Sequence, residues 1–275
     1  MEIDRGSSRA AFPGYCYGLP FLLETPDVAS SIALCVRENL RFVELNSNFP
    51  QCRLDILKGM PLRDMAAEQG VFFTLHLDDR FDPFDFNPLV REAYTQTMLD
   101  AIGLAGEAGM SIINMHIPRG NIVTLPEGKH YIYQEFHAQY VQAVLLFCER
   151  CQAAIAGSGV RIAIENSDSW EPYEHAAIEM LLESPVFGLC LDIGHDHAAG
   201  NRDLPFFAEH QDRLIHMHAH DGWGQTNHQA LGTGEIPLNE RLSMAKKAGA
   251  TVVLETKTIA ALNQSVRYLR DQGML

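Results

Sequence analysis

The sequence contains no long apolar run and few basic residues. None of its hydrophobic segments approaches the ~18 consecutive apolar residues of a membrane-spanning helix. The opening segment MEIDRGSSRAAFPG lacks the apolar core of a cleavable signal peptide, so we expect a cytoplasmic protein with no membrane partner. The 275 residues include 35 acidic and only 21 basic side chains, a formal net charge of −14. Because nucleic-acid affinity depends on Lys and Arg neutralising phosphates, this balance disfavours a nucleic-acid partner and favours a small substrate.

Clustered cysteines are also lacking, although the chain has six. One CxxC pair, Cys148 and Cys151, has no second pair that could complete a zinc site. Two residues three apart on a helix share a face, so we interpret this pair as part of the core. No low-complexity linker or charge block divides the chain. We therefore predict one domain that covers residues 1–275.

The chain instead shows a regular alternation of short apolar runs with helical segments. Nearly continuous hydrophobicity in short runs is typical of parallel strands that are covered on both faces. The predicted strands are Tyr15–Gly18, Phe42–Leu45, Val71–Leu77, Ser111–Ile117, Arg161–Glu165, Phe187–Asp192, Leu214–Ala219 and Thr251–Glu255. The predicted helices are Pro26–Asn39 (with Thr25 as its N-cap), Arg53–Gln69 (interrupted at Pro61), Leu89–Ala108, Tyr133–Ala156, His175–Glu183, Pro205–His210, Leu238–Gly249 and Ile259–Asp271.

This alternation predicts the fold class. Strands separated by helices imply right-handed parallel crossovers, and ~250 residues is the usual length of a closed barrel of eight such units. An open doubly wound sheet alternates in the same way, but no GxGxxG follows the first strand, so its dinucleotide-binding variant lacks support. The prediction is an α/β protein with a single (β/α)8 TIM barrel.

Six of the apolar runs end on side chains that can bind a metal ion. They are FFTLHLDD (His76), IINMHIP (His116), RIAIENSD (Glu165), GLCLDIGHDH (Asp192, His195), LIHMHAHD (His216, His218, His220) and VVLET (Glu255). In a barrel of parallel strands, all C-terminal strand ends lie on one rim, where the active sites of such barrels are built. The pattern therefore predicts a metalloenzyme site at that rim.

Four of these side chains follow the last four predicted strands, which are neighbours around a barrel. They are Glu165, Asp192, His218 and Glu255. Three carboxylates and one imidazole form a donor set that favours Mn²⁺ or Zn²⁺ and also admits Mg²⁺ or Co²⁺. The remaining histidines could build a second, nitrogen-rich metal site or contact the substrate; these are His76, His116, His195 and His228.

The segment around the seventh predicted strand contains three alternating histidines, which share one face of that strand. Only one or two can reach a metal at the rim, so we choose His218 as the ligand, His216 as a deeper supporting residue and His220 as the start of the loop. The following segment LGTGEI could cradle a phosphate with backbone N–H groups. Glu44, at the end of the second predicted strand, points either into the site or to solvent.

Several of these motifs resemble the xylose isomerase-like TIM-barrel superfamily. They are IENSD, LDIGH, HMHAHDGWGQTNHQALGTGEI and LET. The superfamily contains sugar and sugar-phosphate isomerases and epimerases, inosose and 3-dehydroshikimate dehydratases, and the endonuclease IV apurinic nucleases. The resemblance implies that His195 contacts substrate oxygens and that one shared metal is held by Glu165, Asp192, His218 and Glu255.

The nuclease branch carries further zinc ions, and this chain matches its ligands incompletely. By resemblance, His76 and His116 would bind one of these ions, while His195 and His228 would bind another. The nuclease pattern has an Asp two residues before His228, where this chain has Thr226. This departure weakens the nuclease interpretation.

The resemblance therefore implies a divalent-metal-dependent isomerase or epimerase of a sugar or sugar phosphate, acting by proton transfer through an enediolate. Glu165 and Glu255 would transfer the proton, and His195 would orient the substrate. The alternatives are a metal-dependent dehydratase of a keto-sugar or cyclitol, an endonuclease IV-like phosphodiesterase, and a non-catalytic metal-binding scaffold. We expect a small carbohydrate substrate and one divalent ion, with a second ion and the oligomeric state left open.

Overall fold

The structure is a computed structural model that describes residues 13–275. Its strands are β1 (Tyr17–Pro20), β2 (Phe42–Asn46), β3 (Phe72–His76), β4 (Ile112–His116), β5 (Ile122–Leu125), β6 (Gly128–Tyr131), β7 (Arg161–Glu165), β8 (Phe187–Asp192), β9 (Leu214–Ala219), β10 (Asp221–Trp223), β11 (Thr226–Gln229) and β12 (Thr251–Leu254). Its α-helices are α1 (Val28–Arg37), α2 (Leu54–Leu57), α3 (Leu62–Gln69), α4 (Pro88–Ala108), α5 (Ile132–Glu135), α6 (His137–Ile155), α7 (Pro172–Leu182), α8 (Ile193–Ala198), α9 (Leu204–Glu209), α10 (Leu238–Ala248) and α11 (Ile259–Asp271).

Eight parallel strands close into a barrel, which confirms the predicted (β/α)8 fold. Around the barrel the order is β1, β2, β3, β4, β7, β8, β9 and β12, and β12 pairs again with β1. Every residue of β8, β9 and β12 is buried, as expected for strands that are covered on both faces. The alternation of apolar runs and helical segments in the sequence thus predicts the barrel correctly.

The strand register brings the ends of neighbouring strands to one level. His116 is paired with Glu165 across β4 and β7, and Asp192 with His218 across β8 and β9. Because side chains alternate along a strand, Ala163 lies on the same face as Glu165, two residues deeper in the barrel. Together with Ile112, Cys190 and Ile215, Ala163 forms a small apolar cluster separate from the main core. This cluster supports the polar strand ends from below.

The main hydrophobic core fills the layer between the strands and the surrounding helices. Cys148 and Cys151 are free thiols on α6 and are buried in this layer, so their interpretation as core residues is confirmed. No helix in residues 13–275 has the length and apolar character required to cross a membrane.

Two local predictions were wrong: the N-cap of the first helix and the unbroken helix Tyr133–Ala156. Helix α1 begins after Asp27, whose side chain accepts a 2.7 Å hydrogen bond from the Ser30 N–H. Thr25 instead turns inward and donates to the Leu22 carbonyl at 2.7 Å, so it does not cap the helix. The predicted helix Tyr133–Ala156 is divided into α5 and α6 at Phe136.

The loops at the C-terminal rim contain structure that the sequence did not predict. Helix α8 begins directly after β8, while β5 with β6 and β10 with β11 form two antiparallel hairpins. The first hairpin occupies part of the predicted loop before Tyr133. The second hairpin and α8 carry histidines towards the centre of the rim.

Candidate metal centre

A polar cavity of about 650 Å³ opens at the C-terminal ends of the barrel strands. Its lining includes His76, His116, Glu165, His195, His228 and Glu255. The volume is in the range of ~300–1,000 Å³ that is usual for small-molecule sites. The predicted rim residues therefore either line one cavity or lie directly beneath it.

Four residues at the floor of this cavity form what we call the four-residue group. Ligand atoms from each lie within 4.8 Å of one another; the members are Glu165, Asp192, His218 and Glu255. Nδ1 of His218 lies 2.8 Å from Oε1 of Glu165 and 3.2 Å from Oε2 of Glu255. It lies 4.0 Å from Oδ2 of Asp192. The structure thus brings together all four predicted ligands, which come from four consecutive barrel strands.

The four-residue group fits a divalent metal ion. Nδ1 of His218 is buried and has no hydrogen-bond partner among residues 13–275, yet it faces three carboxylates. An orphaned imidazole nitrogen within a ring of carboxylate oxygens is costly unless a cation or a proton lies between them. Nitrogen and oxygen donors in this ratio suit Zn²⁺, Mn²⁺, Co²⁺ or Mg²⁺.

The same geometry perturbs the protonation of the group. Burial raises the pKa of Glu165, but His218 and His116 more than offset this effect and leave the pKa well below its ordinary value. Burial likewise raises the pKa of Glu255, and His218 and Lys257 more than offset it. Burial lowers the pKa of His218, but Glu165, Cys190 and further nearby carboxylates raise it overall.

Beneath the four-residue group lies Glu44, whose direction the sequence left open. Its carboxylate is 2% exposed and points into the barrel. Oε1 lies 2.8 Å from Nε2 of His218, and Oε2 lies 2.9 Å from Nε2 of His216. Thr74 donates a further hydrogen bond of 3.2 Å to Oε2. Glu44 therefore contacts the far side of the His218 imidazole, the position from which a carboxylate commonly orients a metal-binding histidine.

A second set of possible ligands, the His76 group, contains His76, His116 and Glu165. Nδ1 of His76 donates to the Leu77 carbonyl at 2.5 Å, and Nε2 lies 3.1 Å from Oε2 of Glu165. Nε2 of His116 lies 3.9 Å from the same oxygen, which also accepts from Asn114. Glu165 thus faces the four-residue group with one oxygen and the His76 group with the other.

A third set, the histidine group, contains His195, His220 and His228. His195 is held by α8, and His228 by β11, where its φ of 54° is uncommon for a residue with a side chain. Burial lowers the pKa of His228 to about 4, so its imidazole is neutral at physiological pH. Thr226, at the place of the nuclease Asp, is exposed.

The segment LGTGEI does not form the phosphate cradle that the sequence suggested. The buried carboxylate of Asp221 accepts hydrogen bonds from the backbone N–H groups of Gly232 (3.0 Å), Gly234 (2.8 Å) and Ile236 (3.2 Å). These donors are therefore already satisfied by an internal anion. The prediction was wrong because a side chain ten residues upstream of the motif fills the turn.

The positive charges at the cavity wall are paired with carboxylates. Nε of Arg119 lies 3.4 Å from Glu174, and Nη2 donates to the Ser169 carbonyl at 2.7 Å. Nζ of Lys257 lies 3.0 Å from Oε1 of Glu255. Both cations thus lie close to carboxylates, while the Lys257 side chain remains 61% exposed.

Comparison with known proteins places the chain in a family. Residues 32–272 match the family model of the xylose isomerase-like TIM barrel. The chain belongs to this family. One relative is the uncharacterized protein MJ1311 of Methanocaldococcus jannaschii, which is 28% identical to this chain over 229 residues. The match covers 77% of this chain and 72% of that protein.

Several solved structures share the fold at low sequence identity. A D-tagatose 3-epimerase-like protein is 21% identical over 93% of this chain and 96% of its own, with a TM-score of 0.75. The IOLI protein with a binding zinc atom is 15% identical over 93% and 97%, with a TM-score of 0.71. A D-allulose 3-epimerase from Methylomonas sp. in complex with D-allulose is 18% identical over 95% and 98%, with a TM-score of 0.69.

Proposed function

We propose that this protein is a divalent-metal-dependent isomerase or epimerase that moves a proton next to the carbonyl group of a ketose. The observation that carries the proposal is the four-residue group, in which two glutamates flank an orphaned imidazole nitrogen at the floor of an open polar cavity. Binding of D-allulose by one structural neighbour, and the epimerase names of others, support a ketose as the substrate class.

Each of the two glutamates has one carboxylate oxygen close to Nδ1 of His218 and a second oxygen that points away from it. This arrangement suits them to proton transfer. Oε2 of Glu165 is turned towards His76 and Asn114, and Oε1 of Glu255 towards Lys257. A divalent cation in this group supplies a Lewis acid that stabilises negative charge on adjacent substrate oxygens. Held in fixed positions, Glu165 and Glu255 can remove a proton from one face of a substrate carbon and return it to the other.

His195 is positioned to hold the substrate. It lines the cavity, and Asn227 is 3.4 Å from its Nδ1. A histidine at this place can donate to or accept from a sugar hydroxyl, which orients the carbon that exchanges its proton.

A second candidate function is a phosphodiesterase with several metal ions. The observation that favours it is the sharing of Glu165 between the four-residue group and the His76 group, since neighbouring metal ions are commonly bridged by one carboxylate. The net charge of −14 weighs against this function, because a DNA backbone requires basic contacts. Thr226 also weighs against it, because it stands exposed at the place of the Asp in the nuclease pattern. The isomerase or epimerase therefore remains our proposal.

One panel of assays separates the two functions. The purified protein, loaded with Mn²⁺, Co²⁺ or Zn²⁺ in turn, is incubated with a set of ketohexoses and ketopentoses, and the products are separated by chromatography. We expect an epimer or aldose to appear, and to be lost after chelation or in the Glu255→Ala variant. If no sugar changes while an apurinic duplex is cut, the phosphodiesterase is correct; loss of water from the substrate would identify a dehydratase.

A further inference from the structure

His220 is a fully buried histidine whose two ring nitrogens both have partners. Nδ1 accepts a 2.8 Å hydrogen bond from the backbone N–H of His228. Nε2 lies 3.0 Å from Oδ1 and 3.2 Å from Oδ2 of Asp192. An imidazole that accepts at Nδ1 carries its proton on Nε2, so His220 donates to the carboxylate and has no lone pair left for a metal ion.

Asp192 is the ligand of the four-residue group that this bond affects. Its Oδ1 also accepts from the backbone N–H of His195 at 2.6 Å. Its main chain is fixed on both sides by Asn166, which accepts from the Asp192 N–H at 2.9 Å and donates to the Asp192 carbonyl at 3.0 Å. The His220 ring adds a side-chain contact to both carboxylate oxygens of Asp192 and so fixes the orientation of the carboxylate.

The absence of a side chain at Gly194 leaves space for the His220 ring. A Cβ at Gly194 would lie 1.9, 2.1 and 2.7 Å from three atoms of the His220 imidazole, which is closer than real Cβ contacts allow. The glycine between Asp192 and His195 therefore lets the ring reach the carboxylate. On its other side the ring lies against His228, with 4.2 Å between the ring centroids.

We propose that His220 is a positioning residue for the metal centre and not a metal ligand, although it belongs to the histidine group. It fixes the carboxylate of Asp192 and connects this ligand to the β10–β11 hairpin that carries His228. The proposal rests on the proposed metal dependence of the four-residue group. To act as a ligand, His220 would have to give up its bond to either Asp192 or the His228 main chain.

Nuclear magnetic resonance on the full-length protein tests this role directly. Protein labelled with ¹⁵N-histidine is loaded with ¹¹³Cd²⁺, a spin-active substitute for a divalent ion, and ring nitrogens are assigned by His→Gln variants. We expect a ¹¹³Cd–¹⁵N coupling at His218, and at His220 a protonated Nε2 without coupling. A coupling at His220 would overturn the proposal while leaving the metal centre intact. If no histidine shows a ¹¹³Cd–¹⁵N coupling, the proposed metal dependence is contradicted. The positioning role of His220, which rests on it, is then contradicted as well.

Metal affinity provides the second readout. Competition with a chromophoric chelator is measured for His220→Phe, which keeps a ring and loses both bonds, and for His220→Gln, which keeps an amide donor for Asp192. We expect Mn²⁺ or Zn²⁺ to bind about 10–100-fold more weakly to His220→Phe, and the Gln variant to recover part of the loss.

One further variant is a control for effects on folding, and another tests the position of the His220 ring. His175→Phe replaces a histidine that stacks on Phe206 away from the cavity, and it should bind metal as the wild type does. Gly194→Ala keeps His220 but displaces its ring, so it should weaken binding in the same direction as His220→Phe. Wild-type affinity in both His220→Phe and Gly194→Ala, with circular dichroism unchanged, would refute the positioning role.

Discussion

Replacing Glu44 with Gln removes the negative charge that lies below the proposed metal centre while keeping the size of the side chain. In the wild type, Glu44 faces Nε2 of both His216 and His218 and accepts from Thr74. Burial raises the pKa of Glu44, but the two histidines lower it overall, so the carboxylate is ionised. A buried anion that accepts from His216 and Thr74 and lies 2.8 Å from Nε2 of His218 is therefore converted into a neutral amide.

The expected magnitude follows from these contacts. The amide oxygen of Gln can accept from one imidazole, but its NH₂ group would face the N–H of the other, so one of His216 and His218 loses its partner. If His218 then moves its proton to Nδ1, the nitrogen that faces the carboxylates can no longer bind a cation. Loss of such a supporting carboxylate usually weakens metal binding 10–100-fold, which is about 1.4–2.8 kcal/mol.

The assay is a competition for Mn²⁺ or Zn²⁺ between the protein and a chromophoric chelator, with the fold checked by circular dichroism. Thr74→Val is the matched control, because it removes a bond to Glu44 but leaves both imidazole contacts in place. We expect a much smaller change in the control than in Glu44→Gln. A folded Glu44→Gln variant with wild-type affinity would show that Glu44 does not support His218.

Three further predictions concern the loop, the pH dependence and the metal. Asp221→Asn should lower the free energy of unfolding by ~1–3 kcal/mol, because an amide NH₂ would face backbone N–H groups that now donate to the carboxylate. Urea denaturation measures this change, and an unchanged unfolding midpoint would contradict the prediction. Burial raises the pKa of Asp196 to about 6, above about 4 in the unfolded chain, so its ionisation costs stability as the pH rises between these values. The free energy of unfolding of Asp196→Asn should therefore rise relative to that of the wild type between pH 4 and 7. A difference between the two proteins that does not change with pH would refute this prediction. Chelation should lower the melting temperature, and Mn²⁺ or Zn²⁺ should restore it; equal melting curves would argue against a bound metal.

The barrel and the four-residue group could be predicted from the sequence because both follow from local patterns. Each ligand stands at the end of an apolar run, and parallel strands bring such ends together without any knowledge of loops. Asp192 and His218, for example, are paired by the register of two neighbouring strands. The family resemblance and the strand pattern therefore point to the same four residues.

The supporting residues could not be predicted because they depend on contacts between distant segments. Glu44 meets His216 from a strand 172 residues away in sequence, and β2 is not a neighbour of β9 in the barrel. Of the two partners of His220, Asp192 lies on a predicted strand, but His228 lies on the β10–β11 hairpin, which was not predicted. At α1 the sequence offers Thr25 and Asp27 as caps, and only the inward turn of Thr25 decides between them.

Deuterium exchange into a ketose is the measurement that tests the proposed function most directly. The metal-loaded protein is incubated with each candidate ketose in D₂O, and Glu255→Gln at saturating metal is the control. We predict that the wild type places deuterium at the carbon next to the carbonyl of at least one ketose and that the variant does not. If the wild type binds metal but leaves every ketose unlabelled, proton transfer between Glu165 and Glu255 is not the chemistry of this site.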